Sequence, residues 1–460
     1  MDGWKARVWA RLPLAEAVLS SWDYLTDESF LAQVFDRYHG RSYADVISFS
    51  CLVGLVGDAL VEHAGSGNRA LQSADERDEL SACHEAYYAK LRRVPQSLSH
   101  GFLAESSARL RWVLPKSKSP VPKSLRGLAV KLIDGKKIKR AAKRLVAARK
   151  FRGSALGGKA LIAVCLETGL ATAMTSDLDG EANDPPLVPD LLSQLRAQAT
   201  GPQLYVLDSQ FCDLKLPPLL TEGNDHFVVR YHPKVSFTRD TKHAVRQGKD
   251  AQGRRWREEW GWLGRATAKH RPYVRRITLS RPADKPVIIV SSLLDADQYP
   301  ANDLLELYRH RWGIERVFQQ ITEVYHLRTL IASTPQGTIF QCAFCLLLYN
   351  LMVVQRSYVA QAQQRRERES ISMENLFYDA RRQLIAWNET VGVSWTVSHC
   401  RRSLTALQLT HRLSQLYQKT WRERWLKAPA KKPRRYQSKT ENTAGGHTSI
   451  YRLIQKNLRP

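Results

Sequence analysis

The sequence predicts an α/β protein with a sheet at its centre and an all-α module in front of it. Three observations carry this reading. Two apolar runs, LAVKLID and QLYVLDSQF, have the length of buried strands and each closes on an acid, Asp134 and Asp208. The stretch ANDLLELYRHRWGIERVFQQITEVYHLRTL, residues 301–330, reads as one long amphipathic helix. Ahead of residue 115, apolar residues recur at helical spacing in LAEAVLSSW, ESFLAQVFDRYH, YADVISFSCLVGLVGDALVEH and ACHEAYYAKLRRV. SLSHGFLAESSARLRWVL adds a further helix, with Ser97 or Ser99 as its cap.

Beyond this module, KSKSPVPKSLRG is a linker by composition. From Lys116 to Lys159 there are fifteen Lys or Arg and a single acid, Asp134. Gly135 beside it marks a turn, so Asp134 is either a turn residue or a carboxylate at a strand end in a basic field. The latter suits a divalent ion that meets a phosphate. GSALGGKA, residues 153–160, nearly matches a phosphate-binding loop. It has Ala160 where the hydroxyl residue belongs and leads into a strand-like run, so nucleotide hydrolysis is set aside. The segment reads instead as a hairpin of AARKFRGS and ALIAVCLE, turning at Thr168-Gly169 into LATAMTSD. PPLVPDLLSQLRAQ then opens a helix after its prolines.

After Asp208, HFVVRY, GWLG, YVRRITLS and KPVIIVSSLLD read as short strands. Between them, Trp256, Trp260 and Trp262 alternate among Arg254, Arg255 and Arg257. Alternating tryptophans serve as hairpin packing or, among arginines, as a platform for an extruded base. On the long helix, steps of three and four place Tyr308, Arg311, Glu315, Phe318 and Thr322 on one face. Glu315 therefore lies near an apolar seam, where a carboxylate needs Arg311 or a metal ion as partner. Three acids gathered in one pocket require cations, because repulsion would otherwise protonate one of them. Two cations about 3.5–4 Å apart would serve phosphoryl transfer.

Composition narrows the partners. The 460 residues carry a net charge of +26, with 70 Lys and Arg against 44 Asp and Glu, which implies a polyanion and by default nucleic acid. Twelve tryptophans and 43% hydrophobic residues are unusual for a purely charge-driven chromatin or ribosomal protein. No secretory signal opens the chain, and CAFCLLLYNLMVV is short for a bilayer and broken by Asn350. Seven cysteines without a repeating frame indicate a reducing compartment, with Cys342 and Cys345 as buried thiols. A soluble, intracellular protein is expected. The last sixty residues hold fifteen Lys or Arg and two acids, a DNA or subunit contact.

Tyr308, Arg311 and Glu315 within LYRHRWGIERVF closely resemble the YREK signature of DDE transposases of the insertion-sequence-4 group. LIDG around Asp134 and YVLDSQF around Asp208 resemble that family's two Asp strands, and similarity extends to LPLAEA, RYHGRSYADVISF, YYAKLRRVP and HLRTLIASTP. The resemblance implies an RNase H-like mixed-sheet catalytic core with Asp134, Asp208 and Glu315 as catalytic residues holding two Mg2+ ions, for which Mn2+ can substitute. It further implies nicking at element ends and attack by the freed 3′-hydroxyl, in relatives through a DNA hairpin. The partners implied are double-stranded DNA, as inverted-repeat ends and target, and a second copy of the chain. Tyr308, Arg311, Lys136, Lys137 and Arg140 are expected DNA contacts, as is one of Trp256, Trp260 and Trp262. A cytoplasmic, nucleoid-associated bacterial protein follows. One position departs: the signature's Lys is here Thr322, so that His326 or Arg328 would have to supply the cation.

The expected organisation is a helical domain at 1–115, the first part of the core at 116–213 and a β-rich insertion at 214–284. The second part of the core follows at 285–390 and a basic region at 391–460. The alternatives are a nuclease that cuts without joining and a non-catalytic DNA-binding protein.

Overall fold

The computed structural model describes residues 3–139, 154–281, 284–329, 331–363, 367–391, 404–428 and 446–457. Seven helices open the chain: α1 (Gly3–Trp9), α2 (Pro13–Leu25), α3 (Glu28–Tyr38), α4 (Phe49–Val61), α5 (Gly67–Asp75), α6 (His84–Arg92) and α7 (Gln96–Arg111). Three of them start on a side-chain cap, Asp27, Ser48 and Ser66 for α3, α4 and α5. The expected cap of α7 is not used. Pro95 precedes its first turn, and Ser97 instead donates to the Tyr38 carbonyl.

The sheet explains the placement of everything else. β1 (Ala129–Lys139), β2 (Ser154–Cys165) and β3 (Ala171–Asp177) form an antiparallel meander. Its second turn carries Gly169 at φ +79°, as the Thr168-Gly169 reading requires. After α8 (Val188–Ala197), β4 (Gln203–Leu207) pairs parallel with the other edge of β1. A short helix, α9 (Leu216–Leu220), leads to β5 (His226–Arg230), parallel to β4. A three-strand meander with two parallel strands beside its first strand is the RNase H-like order.

The strands beyond it continue the same sheet. β6 (Phe237–Arg239), β7 (Arg246–Lys249), β8 (Arg255–Leu263), β9 (Tyr273–Arg281) and β10 (Asp284–Ser291) are antiparallel, and β10 returns to pair with β5. Near the end of the chain β11 (His447–Ser449) adds parallel to the start of β2.

Two sequence expectations are corrected along β1 and β2. Asp134 does not end its strand: β1 runs five residues further, to Lys139, so Gly135 is not a turn. Gly135 is small for another reason, since a Cβ there would lie 2.2 Å from Oδ1 of Asp184. The proposed hairpin partner of β2, residues 147–153, lies outside the described residues; the described partner is β1. GSALGGKA contributes to β2 from Ser154 onward and forms no phosphate loop, in line with its rejection.

The predicted 301–330 helix is two helices, α10 (Ala301–Arg309) and α11 (Trp312–Glu323). Between them the amides of His310, Arg311, Gly313 and Ile314 each bond three residues back, a tightened turn that Gly313 favours. Helical backbone ends before His326, which takes a left-handed φ of +61°.

α12 (Pro335–Ala362) is the hub. Phe340 and Phe344 pack with Phe102 of α7, and Phe344 also meets Trp22 of α2. Asn350, which the sequence suggested as a break, accepts from the Ala171 amide and donates to its carbonyl at 2.8 Å each. The helix is longer than its apolar stretch. Among the described residues it is the one helix long and apolar enough to cross a membrane, and its apolar stretch is wholly buried inside the protein. α13 (Met373–Val391), α14 (Ala406–Gln418) and α15 (Ile450–Asn457) complete the fold.

Candidate active site

Strand alternation sets which face the acids share. Val130, Leu132 and Ile138 of β1 join the large core on the α12 side, as do Leu204 and Val206 of β4. Ile133, Tyr205 and Leu207 point the other way, towards α8. Asp134 and Lys136 belong to the first face, and Asp208, two residues after Val206, follows the same alternation. Because Leu132 pairs with Val206, Asp134 and Asp208 also stand at matching positions of two parallel neighbours.

α11 brings the third acid. Gly313 in its first turn sits over Leu132, where an added Cβ would lie 3.7 Å from that side chain. The small residue lets the helix start close to β1. Arg311, immediately before it, is almost fully buried and bonds Glu315 Oε1 at 2.8 Å and Asp134 Oδ2 at 3.4 Å. Burial opposes the guanidinium charge, but the Tyr308 hydroxyl and the carboxyls of Asp208, Glu315 and Asp134 more than offset it and raise its proton affinity. The structure thus brings the three predicted acids around one arginine.

It does not bring them into a ready-made chelate. Among the described residues no three His, Cys, Asp or Glu side chains are gathered closely enough to hold a metal ion. The Arg311 guanidinium is what links Asp134 to Glu315. The donors nevertheless fit a hard divalent cation in kind, being carboxylate oxygens. Oδ1 of Asp208 is buried and has no hydrogen-bond partner among the described residues. Burial, first of all, pushes the Asp134 carboxyl up to about 6, with Asp208 and Asp184 adding to the rise. Both are groups that a cation would stabilise.

Tyr308 is buried, its hydroxyl has no hydrogen-bond partner among the described residues, and burial with the nearby Asp208 charge pushes its proton affinity up. Lys136 is half-buried with its ammonium 5.5 Å from the Phe318 ring, and burial lowers its proton affinity. Lys137 is exposed. Arg140 lies outside the described residues.

Thr322 turns its hydroxyl back onto the Phe318 carbonyl at 2.5 Å. Neither expected substitute for a lysine there is well placed. Arg328 is paired with Glu323 at 2.6 Å, and burial drives His326 towards its neutral form.

Trp256, Trp260 and Trp262 line one face of β8. Trp260 is buried, donates to the Leu294 carbonyl at 2.9 Å and stacks on His243. Trp262 packs edge-on to Tyr273 with Arg271 above it, and Trp256 lies across Gly248 of β7. This is the hairpin-packing geometry.

Three residues escaped the sequence reading. Trp312 is 57% exposed and has the Arg311 guanidinium 5.2 Å from its ring. Its only signal was its place next to Arg311. Asp184 and Lys159 form a buried ion pair beneath Gly135, 2.7 Å apart though too bent for a hydrogen bond on that oxygen. Nothing in NDPP or GGKA signals that they meet.

No curated protein matches the chain. Among solved structures it is similar to the cryo-EM structure of the piggyBac transposase synaptic complex with hairpin DNA, at 10% identity and a TM-score of 0.41, covering 87% of this chain and 85% of that one. Residues 126–351, the stretch that includes Asp134, Asp208 and Glu315, match the family described as the transposase DDE domain. That match supports reading this segment as a DDE transposase domain.

Proposed function

We propose that the protein is the DNA transposase of an insertion sequence, which cuts element ends by phosphodiester hydrolysis and joins the freed 3′-hydroxyl to target DNA. The observation that carries this is the pairing of Asp134 and Glu315 with one buried guanidinium, beside an Asp208 oxygen that has no hydrogen-bond partner among the described residues and lies just past the end of the neighbouring strand. Asp134, Asp208 and Glu315 would hold Mg2+, or Mn2+ in its place. Such ions supply an activated oxygen nucleophile and stabilise the leaving oxygen. The protein's own part is to gather these carboxylates and to orient the scissile phosphate, the latter being the role assigned to Arg311 and Tyr308.

Lys137 and Arg140 add phosphate contacts. Trp256 and Trp262, which keep part of their surface, and the exposed Trp312 are the rings offered to a displaced base. A homodimer on paired ends and a hairpin intermediate belong to the same reading.

The test is to incubate the protein with linear DNA bearing the inverted repeats that flank its reading frame, with Mg2+ or Mn2+. Cleavage with joined product supports the transposase. Cleavage alone indicates a nuclease, and a shifted but uncut band indicates a binding protein.

A further inference from the structure

We infer that Lys136 is the cation of this site that takes a DNA backbone phosphate over the Phe318–Thr322 turn of α11. The inference rests on the nucleic-acid reading above and assigns one contact within it. Lys136 follows Asp134 by two residues on β1, so both side chains leave the same face of the sheet. Its ammonium lies 5.5 Å from the Phe318 ring, and Phe318 is one turn beyond Glu315 on α11. The charge therefore sits between the strand that presents one candidate metal ligand and the helix that presents another.

No described carboxylate forms an ion pair with it. The acid nearest in influence, Glu323, is already engaged by Arg328 at 2.6 Å and Gln319 at 3.0 Å. The charges around Lys136 also include Lys139 and Arg328, so its surroundings favour an incoming anion. A half-buried ammonium without a carboxylate is costly unless an anion completes it, and a phosphate oxygen is the anion that a DNA-cutting site brings. Thr322 lies one turn past Phe318 on the same face of α11, and its short side chain is folded back on the helix. Lys137, by contrast, is exposed and points to the opposite face.

The experiment measures binding of the full chain, without divalent metal, to a linear duplex carrying the sequence that flanks its reading frame, over a range of salt. Lys136→Gln keeps the stem and removes the charge. It should weaken binding by about fivefold to tenfold and lower the slope of log K against log salt by about 0.9, the value for one lost phosphate contact. Lys136→Arg should spare both quantities. Lys136→Gln combined with Thr322→Lys should recover at least half of the loss, because a lysine from that turn reaches the same space. Unchanged affinity and slope in Lys136→Gln would overturn the inference. A loss that neither Lys136→Arg spares nor Thr322→Lys relieves would overturn it too, as the mark of a packing role. If the parent protein itself fails to bind the duplex, the transposase reading falls, whereas an effectless Lys136→Gln in a protein that binds and cuts removes this assignment alone.

Discussion

Arg311 joins the strand and the helix of the candidate site by bonding Asp134 Oδ2 at 3.4 Å and Glu315 Oε1 at 2.8 Å. The sequence offered two partners for Glu315, this arginine or a metal ion, as if they were alternatives. The geometry makes them competitors for the same oxygens. A guanidinium can hold two carboxylates together, but it delivers no activated water.

Replacing Arg311 with Gln should therefore separate two properties. Mn2+ binding should tighten about tenfold, equal to about 1.4 kcal/mol, because a resident cation is gone. DNA cutting should fall by on the order of a hundredfold, because the phosphate loses an orienting charge. Titration calorimetry with Mn2+ and a gel cleavage assay read the two effects. Weaker Mn2+ binding in the variant would show that Arg311 organises the acids for the ion and does not compete with it.

Neutral replacements of the acids test the site itself. Asp134→Asn, Asp208→Asn and Glu315→Gln should each reduce cutting by on the order of a thousandfold, since each removes one hard ligand. DNA affinity should stay level or rise, because a negative charge facing phosphate is lost. Band-shift and cleavage assays on the same samples decide this. A variant that still cuts would exclude its residue from the chemistry.

Asp134 also predicts a pH dependence of stability. Its carboxyl is pushed up to about 6 in the folded chain, from an ordinary value of 3.8, chiefly by burial. Between these values the folded state holds a proton that the unfolded state has released. Stability must then fall as pH rises through the window, and the full penalty persists above pH 6. Asp134→Asn should be more stable than the parent at pH 8 by about 2–3 kcal/mol, with the difference shrinking towards pH 4. Urea titrations in a metal chelator would show this. A gap that does not change with pH would mean that the folded protein accommodates the Asp134 charge without cost.

The fold was legible where periodicity and burial agree. β1, β4 and β5 read as apolar runs, and the N-terminal helices as three-four spacing, because each buries a face whose period is local. The break at His310–Arg311 was not legible, since Gly313 is tolerated in many helices and becomes decisive only against Leu132 of β1. The same holds for Gly135. A turn was the local reading, whereas Asp184, far along the chain, is what leaves no room for a side chain. Asp134, Asp208 and Glu315 were singled out as acids after apolar runs or on a helix face, although Asp134 lies inside its strand, and Arg311 standing between two of them is a tertiary fact. The Lys159–Asp184 pair left no trace, because nothing local links a lysine inside β2 to an aspartate before two prolines.

The tryptophans give the last contrast. Trp260 is buried, with its indole N–H committed to Leu294 and its ring stacked on His243, so Trp260→Ala should cost about 3–5 kcal/mol in stability. Trp312 is 57% exposed, and beyond the Arg311 guanidinium near its ring it has little to lose on truncation. Trp312→Ala should change stability by only about 0.5–1 kcal/mol, the scale of an exposed cation–π contact. Its effect should appear in DNA binding, where removing a ring that stacks on a base weakens affinity by about 1–3 kcal/mol. Thermal melts alongside binding to duplexes with an unpaired terminal base would separate the two residues. Equal binding losses that track the loss of stability would mean that neither ring meets DNA and that both serve packing.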